Sequence, residues 1–311
     1  MEIAVLGSIN MDLVVRVERF PEPGETIVGR SFAQFPGGKG ANQAVGAARL
    51  DGDVGMLGMI GDDIFGEQLK GSLEKNGVRI DDLVSQPSSS GVASILVDDA
   101  GENLITIIAG ANGNVDNEYV ETVLPKIGDA KILLLQLEIP LGTIDHLLRR
   151  LSAGAPLVIL DPAPVRDLSD LYTERIDLIT PNRTELAGLV GIELQHPRAI
   201  ERAAVSLSKR TGIETVICKW GAEGAYLSTA GQLVHLPGYR VKAIDTTAAG
   251  DAFNAGLAVA LSRGRDLEAA VGYANAVAAL SVTAEGAQPS MPTGAQVEAF
   301  LEQSAESESK H

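Results

Sequence analysis

The sequence predicts an α/β protein in which helices flank a mostly parallel central sheet. Short apolar runs recur at 3–8, 53–61, 131–137, 156–162, 176–181 and 215–220. Most are nearly continuously apolar, as strands covered on both faces must be. Helix-like segments at 40–49, 62–75, 142–152 and 196–211 alternate with these runs, which is typical of a parallel sheet between helical layers.

Two regions interrupt this alternation and predict a second, small sheet. Residues 12–35 and 91–109 alternate apolar and polar side chains and contain Pro, Gly and Asn turns, as hairpins do. Because neither hairpin is long enough to bury a core alone, we expect them to pair as an inserted lid. The core would then comprise 1–11, 36–90 and 110–311.

The last third of the chain predicts two buried helices. One covers 250–263 and ends near Gly264, and the other covers 266–283 with Asp266 as its N-cap. Both are mostly apolar, so they should pack against the sheet. The C-terminal stretch AESESKH is expected to be a solvated, frayed end.

Composition excludes several classes of protein. A formal net charge of −16 argues against nucleic acid as a partner, because phosphate neutralisation needs clustered Lys and Arg. The absence of an apolar run of about 18 residues argues against a membrane span, and we expect a cytoplasmic protein. The single cysteine, Cys218, excludes an internal disulfide and is expected to be a buried structural thiol, with a catalytic thiol as the weaker alternative.

Polar residues follow the apolar runs, at the positions where parallel strands would end. Ser8 to Asp12 follow the first run, Glu138 follows the third, and Asn182 and Glu185 follow the fifth. Open parallel sheets bind ligands at this edge, so we expect the functional site there.

The segment FPGGKGANQAVGAARL at 35–50 is rich in glycine but matches neither common nucleotide motif. Lys39 is followed by Gly40 rather than Ser or Thr, and GxGxxG is missing after the first run. It is either a flexible turn before a helix or a backbone that a small polar ligand approaches closely, with Lys39 and Asn42 supplying hydrogen bonds.

The segment TPNRTE at 180–185 also has two interpretations. Asn182 and Glu185 have the spacing of a helix cap, and capping alone would explain them. The same pair would suit an anion or a hydrated magnesium ion.

The stretch DTTAAGDAFNAGLAVAL at 245–261 places an acid at the start of a helix. Ala248, Ala249 and Gly250 would leave helix N–H groups open to a phosphoryl group. Asp251 would then be either a charge partner of the helix end or a base that accepts a hydroxyl proton.

Taken in order, these motifs resemble the ribokinase (PfkB-type) family of carbohydrate kinases over essentially the whole chain. GSINMD and PGGKGANQAV are similar to its first signature and DTTAAGDAFNAG to its second, with LLQLEIP, DPAP, ITPNRTE and KWGAEGA between them and GAQPS after them. The resemblance implies a three-layer α/β/α sandwich with a β-sheet lid that often forms a homodimer contact. It also implies ATP-dependent phosphorylation of the 5-hydroxyl of D-ribose, with Mg²⁺ and a monovalent cation, usually K⁺.

The resemblance also implies roles for particular residues. Asp251 would be the base, and Ala248, Ala249 and Gly250 the anion hole. The residues matching the sugar site are Asn10, Asp12, Gly38, Lys39, Gly40, Asn42 and Glu138. Those matching the ATP and magnesium site are Asn182, Glu185, Lys219, Gly221, Ala222, Glu223, Gly224, Gly250 and Asn275. Those matching the monovalent-cation site, many of them through backbone carbonyls, are Asp245, Thr247, Ser281, Ala284, Gly286 and Ser290.

Other functions stay open at this point. Family members often have a smaller or aliphatic pair where this chain has Lys219 and Trp220, which leaves the nucleotide preference open. A related kinase for deoxyribose, fructose or a nucleoside is the alternative within the enzyme class. A sugar sensor without catalysis is a remote alternative, which would be expected to alter Gly250 or Asp251.

Overall fold

The computed structural model describes residues 1–308. In chain order its strands are β1 (Ile3–Leu6), β2 (Asn10–Arg16), β3 (Ser31–Gly37), β4 (Val54–Gly61), β5 (Leu83–Gln86), β6 (Gly91–Val97), β7 (Asn103–Ile108), β8 (Ile132–Gln136), β9 (Leu157–Asp161), β10 (Leu178–Ile179), β11 (Thr215–Lys219), β12 (Gly224–Thr229) and β13 (Gln232–Pro237). The helices are α1 (Lys39–Arg49), α2 (Ile64–Lys75), α3 (Asn117–Gly128), α4 (Leu141–Arg150), α5 (Arg183–Val190), α6 (Pro197–Thr211), α7 (Ala249–Ser262), α8 (Leu267–Ser281) and α9 (Gly294–Glu308).

A nine-stranded sheet forms the centre of the molecule, in the order β13-β12-β11-β10-β9-β8-β1-β4-β5. Strands β11 through β5 of that order pair in parallel, and β12 and β13 add an antiparallel edge. Successive side chains of a strand point to opposite faces, so Ile3 and Val5 enter one core and Ala4 and Leu6 the other. This explains why the central strands are apolar at most positions on both faces.

Helices cover both faces of this sheet. Buried residues of α1, α2, α7 and α8 share one hydrophobic core with the sheet, and those of α3, α4, α5 and α6 share the other. The predicted α/β sandwich is therefore confirmed, as is the N-cap at Asp266, whose side chain accepts from the N–H of Ala269 at 2.8 Å.

The second sheet has the order β3-β2-β6-β7. The pairs β2–β3 and β6–β7 are antiparallel hairpins, and β2 joins β6 in parallel. Asn10 pairs with Gly91 at the start of the two central strands, which sets this end of the sheet beside the first strand of the main sheet. Its strands lie within 10–37 and 91–108, close to the expected lid segments.

Several elements were not anticipated from the sequence. They are α3, α9 and the short strand β5 at one edge of the main sheet, together with the β12–β13 hairpin at the other. Helix α9 also includes 305–308 of the expected frayed end, whose last residues, 309–311, lie outside the described residues. Within residues 1–308, no helix combines the length and the apolarity that crossing a membrane requires.

Candidate active site

A cavity of about 570 Å³ lies between the carboxyl ends of the parallel strands and the start of α7. Its wall includes residues from most of the predicted motifs: Lys39, Asp161, Asn182, Glu185, Lys219, Gly221, Ala222, Gly224, Ala248, Ala249, Gly250, Asp251 and Asn275. Glu223 belongs to the same loop as Gly221 and Gly224 but lies outside this wall. The structure therefore brings the predicted nucleotide residues to the same cavity as the predicted base.

Asp251 lies in the first turn of α7. The N-cap residue, Ala248, has a φ of +59°, a left-handed conformation that turns the chain sharply into the helix. Asp251 is 5% exposed, and its carboxylate accepts hydrogen bonds from Nδ2 of Asn42 at 3.0 Å and Nε2 of Gln43 at 3.1 Å. Helix α1, which carries the glycine-rich motif, thus holds the carboxylate of α7.

The electrostatic environment of Asp251 suits a proton acceptor. Burial raises the pKa of Asp251 to about 6, while Lys39 and the amides of Asn42 and Gln43 act to lower it and Asp161 acts to raise it. A carboxylate with a pKa in this range is ionised at neutral pH yet more basic than an exposed one.

The first turn of α7 offers backbone donors to the cavity. The N–H of Ala249 donates to the carbonyl of Thr246 at 3.3 Å, and that of Ala252 to the carbonyl of Ala248 at 2.9 Å. The N–H groups of Gly250 and Asp251, between them, belong to the helix turn that lacks intrahelical acceptors. Of the predicted anion hole, Gly250 is thus better placed to donate than Ala249.

Lys39 lies among carboxylates at the start of α1. Burial acts to lower its pKa, but Asp251, Asp161, Glu138 and Glu185 together outweigh this and raise the pKa above its usual range. Lys39 is therefore a permanent cation between the predicted base and the other acids.

The predicted sugar residues converge at the junction of the two sheets. The side-chain oxygen of Asn10 accepts from Nδ2 of Asn112 at 2.7 Å, and Glu138 accepts from the backbone N–H of Lys39 at 3.3 Å and from the hydroxyl of Ser8. Burial and the neighbouring Glu138 and Asp251 raise the pKa of Asp12 to about 7, with Lys39 opposing them. The cluster is thus rich in groups that exchange hydrogen bonds with hydroxyls.

Gly38 shows why the glycine-rich loop needs glycine. Its φ is +88°, and a Cβ there would lie 2.7 Å from the backbone nitrogen of Asn10. The backbone of the loop packs directly on the residues after β1, a close approach that a side chain would prevent.

Asn182 and Glu185 form a capping box at the start of α5. The side chain of Asn182 accepts from the N–H of Glu185 at 2.8 Å, and the carboxylate of Glu185 accepts from the N–H of Asn182 at 2.7 Å. Both residues also line the cavity, and burial raises the pKa of Glu185. The capping interpretation is therefore correct, and it leaves both residues facing the cavity.

Asn275 projects from α8 into the far end of the cavity. Its Nδ2 donates to the carbonyls of Leu236 at 2.9 Å and Pro237 at 3.2 Å, which ties α8 to the end of β13.

The loops predicted to hold a monovalent cation lie side by side. Asp245 accepts from the N–H of Gly286 at 2.9 Å through one oxygen and from Thr247 through the other. The hydroxyls of Ser281 and Ser290 donate to carbonyls within their own turns, those of Ala278 and Ala287. Among the described residues, no group of three or more His, Cys, Asp or Glu side chains could hold a metal ion. Any cation here would depend on carbonyl oxygens and Asp245.

Four functional candidates were missed from the sequence: Gln43, Asn112, Gln136 and Asp161. Nε2 of Gln43 donates to Oδ2 of Asp161 at 2.9 Å as well as to Asp251, and Nζ of Lys219 donates to Oδ1 of Asp161 at 3.0 Å. Asp161 ends β9 and so lies at the carboxyl edge of the sheet, where polar residues indicate a site. In the sequence it belongs to the apolar run at 156–162, which hides this position.

Cys218 is buried in β11, 1% exposed. Burial raises the pKa of its thiol to about 12, so it is not a thiolate at neutral pH. This agrees with the structural role expected for it.

The model of the pfkB family of carbohydrate kinases matches residues 1–294 of the chain. The chain belongs to this family. Ribokinase from Haemophilus influenzae is 40% identical over 302 residues, covering 96% of this chain and 98% of that one. A deoxyribokinase from Salmonella typhi is 39% identical over 303 residues, covering 97% and 99%.

Solved structures of pfkB-family proteins share the fold. Ribokinase from Thermotoga maritima superposes with a TM-score of 0.87 at 38% identity, covering 96% of this chain and 99% of that one. Arabidopsis thaliana ribokinase complexed with ribose and ATP superposes with a TM-score of 0.90 at 33% identity, covering 96% and 98%. The family resemblance read from the motifs is therefore confirmed, and the chain is a kinase of the carbohydrate type.

Proposed function

We propose that this pfkB-family kinase transfers a phosphoryl group from ATP to the 5-hydroxyl of D-ribose, giving D-ribose 5-phosphate. The observation that carries the proposal is the position of Asp251. Its carboxylate is held by Asn42, a member of the sugar cluster, and at the same time lines the cavity. The ribokinases among the relatives, and the solved ribokinase with ribose and ATP, support this choice of substrates.

The sugar is bound by groups that pair with its hydroxyls. These groups belong to Asn10, Asp12, Lys39, Asn42 and Glu138. Gly38 and Gly40 let the backbone of the glycine-rich loop lie close to the residues after β1. The carbonyl oxygen of the Asn42 side chain is buried and has no hydrogen-bond partner among residues 1–308, as an acceptor awaiting a hydroxyl would be. A site that pairs each hydroxyl discriminates against analogues lacking one.

Asp251 acts as the general base. The 5-oxygen forms its bond to the γ-phosphorus while the bond from that phosphorus to the bridging oxygen of ATP breaks, and the hydroxyl proton passes to the carboxylate of Asp251. ADP carries away the electron pair of the broken bond. The start of α7 directs the N–H of Gly250 at the phosphoryl oxygens during the transfer, while Ala248 and Ala249 form the turn that exposes it.

ATP occupies the cavity. Asn182, Lys219, Gly221, Ala222 and Gly224 border its phosphates and ribose, and Asn275 faces its adenine. Glu223 belongs to the same loop and would act from outside the wall. Glu185 would hold Mg²⁺ through water, since one of its oxygens is engaged by Asn182 and its carboxylate lines the cavity. The Mg²⁺ ion would neutralise phosphate charge.

A monovalent cation such as K⁺ would sit beside the anion hole. Asp245, Thr247, Ser281, Ala284, Gly286 and Ser290 would surround it, mainly through carbonyl oxygens. Such a cation would restrict the motion of the loop that leads into α7 and of the loop that follows α8.

Deoxyribose is the second candidate acceptor. The observation that favours it is the deoxyribokinase relative, which is only slightly less similar than the ribokinase reported above.

A coupled ATP-consumption assay tests the proposal. Turnover is measured with ribose, deoxyribose, fructose and adenosine, each with and without K⁺. We expect the highest kcat/KM with ribose and stimulation by K⁺. A higher kcat/KM with another acceptor would overturn the assignment of ribose, and binding of ribose without ATP consumption would indicate a sensor.

The small sheet is proposed to form a homodimer contact. Leu104, Ile105, Ile107 and Ile108 of its edge strand β7 are each about half exposed, an apolar surface that a second copy would cover. Light scattering after size exclusion should give twice the mass of the chain for the wild-type protein. Ile105→Lys combined with Ile107→Lys should give the monomer mass.

A further inference from the structure

The ammonium group of Lys219 lies beside the first turn of α7. Lys219 ends β11, and its Nζ donates to Oδ1 of Asp161 at 3.0 Å. A Cβ built on Gly250 would lie 3.3 Å from the same Nζ. The side chains of Lys219 and Asp161 are 11% and 4% exposed, so this ion pair is buried in the cavity wall.

Lys219 pairs with the carboxylate of Asp161, but other groups near its ammonium carry positive charge. The N-terminus of a helix carries partial positive charge, which repels an ammonium group. Lys39 brings a second ammonium group to the same cavity wall. Burying an ion pair also costs desolvation that the pairing rarely outweighs. An anion placed among Lys219, Lys39 and the helix end would be attracted by all three and would offset their mutual repulsion.

We propose, on the basis of the phosphoryl transfer proposed above, that Lys219 is a catalytic residue whose ammonium group contacts the phosphoryl group in transfer. Asp161 is its positioning residue. The distance from Gly250 places the ammonium group at the helix end where the γ-phosphoryl group would be held.

Lys219 supplies charge where the reaction needs it. As the 5-oxygen bonds to phosphorus and the bond to the bridging oxygen of ATP breaks, negative charge is spread over the phosphoryl and leaving oxygens. A fixed ammonium group in a buried site stabilises that charge without reorganising. Because Gln43 donates to both Asp161 and Asp251, the ammonium group and the base are held by one hydrogen-bonded frame.

The informative variant is the double substitution Lys219→Met with Asp161→Asn. Lys219→Met alone would leave the buried carboxylate of Asp161 without its cation and could unfold the protein. The double variant removes both charges together. Asp161→Asn alone is the matched control, because it retains the ammonium group. Thermal unfolding of both variants establishes that they fold.

Nucleotide binding is measured without any acceptor, through the fluorescence of Trp220, the only tryptophan of the chain and the neighbour of Lys219. The probes are ADP and AMP-PNP, a non-hydrolysable ATP analogue. In the double variant we expect AMP-PNP affinity to fall about 10-fold or more and ADP affinity to change less than about 3-fold, because the lost contact is to the terminal phosphoryl group.

In the kinetic assay of the double variant we expect kcat to fall about 10²-fold to 10³-fold, with the KM for sugar nearly unchanged. Asp161→Asn should retain most of the AMP-PNP affinity.

An AMP-PNP affinity in the double variant equal to that of wild type would overturn the proposal, as would a kcat equal to that of Asp161→Asn. A wrong choice of acceptor would appear separately, as a wild-type protein inactive towards ribose, and would not alter the nucleotide-binding result.

Discussion

Gln43 donates its side-chain amide to Oδ1 of Asp251 at 3.1 Å. The same Nε2 donates to Asp161 at 2.9 Å, and the amide oxygen of Gln43 accepts from Nε2 of Gln136 at 2.8 Å. Gln136 thereby fixes which end of the Gln43 amide faces the two acids. Since all of these side chains are buried, the orientation of the Asp251 carboxylate is set by helix α1 and strand β8 together.

Replacing Gln43 with leucine should weaken catalysis through Asp251. The hydrogen bond from Gln43 acts to lower the pKa of Asp251, so its loss should raise that pKa. A lost hydrogen bond to a charged group corresponds to a fall in kcat of about 10-fold or more. A profile of kcat/KM against pH should show the acidic limb of Gln43→Leu at higher pH than that of wild type.

Gln136→Leu is the control for this experiment. It leaves both donations from Gln43 in place and removes only the group that orients its amide. We expect its acidic limb to lie closer to that of wild type. An unshifted limb in Gln43→Leu would show that Gln43 does not position the base.

Asp251→Asn should abolish most turnover while sparing sugar binding. Asparagine has the size of aspartate but cannot accept the proton, so we expect kcat to fall at least about 10²-fold. The amide of Asn42 has an unpartnered oxygen and can rotate to pair with the new amide, which preserves the pocket. Calorimetric titration with ribose measures the binding that should be retained.

Asp266→Asn is a matched control, because Asp266 is also an acid at the start of a helix but only caps α8. Asparagine caps helices as well as aspartate does, so this variant should keep wild-type turnover. Near-normal activity in Asp251→Asn would rule out Asp251 as the base.

The fold was predictable from the sequence where strands are buried on both faces. The runs at 3–8, 131–137 and 215–220 are mostly apolar, and they correspond to β1, β8 and β11. The hairpin of β12 and β13 was missed because Gly224–Thr229 and Gln232–Pro237 are short and mixed in polarity. Helix α9 was missed because its sequence, GAQVEAFLEQSAESE, is mostly polar.

Those site residues were predictable from the sequence whose type and local sequence context together indicate a single role. An acid after AAG at a helix start indicated Asp251, and the glycines around Lys39 indicated close backbone approach. The partners of these residues were not predictable, because Gln43 and Asp161 owe their importance to contacts with residues 208 and 118 positions away. Such contacts depend on how α1, α7 and β9 meet in the fold.

The buried acids should make the unliganded protein less stable as pH rises. The pKa of Asp251 is raised to about 6, by burial above all, and that of Asp12 to about 7, by burial and then by Glu138 and Asp251. The folded state therefore holds protons that the unfolded chain, with a carboxyl pKa of 3.8, has released. The stabilising contribution is complete below about pH 4 and is lost as pH rises through 6 and 7.

The variant Asp251→Asn tests this dependence on pH, because the side chain of asparagine does not ionise. The Tm of the variant minus that of wild type should increase from pH 5 to pH 8, since only the wild type loses the contribution of Asp251. Because Asp251 also acts to raise the pKa of Asp12, its removal lowers that pKa and changes the difference in the same direction. A difference that stays constant over the range would contradict a raised pKa at Asp251.

Ribose should slow amide hydrogen exchange in the small sheet. Strands β2 and β6 begin at Asn10 and Gly91, beside the sugar cluster. If the sheet closes over bound sugar, segments 12–35 and 91–109 should exchange more slowly in saturating ribose, because closure reduces local opening. Mass spectrometry of deuterated peptides measures the rate of exchange.

The β12–β13 hairpin, on the far edge of the main sheet, is the internal control and should exchange at the same rate with and without ribose. Equal exchange of the small sheet in both conditions would mean that it does not act as a lid.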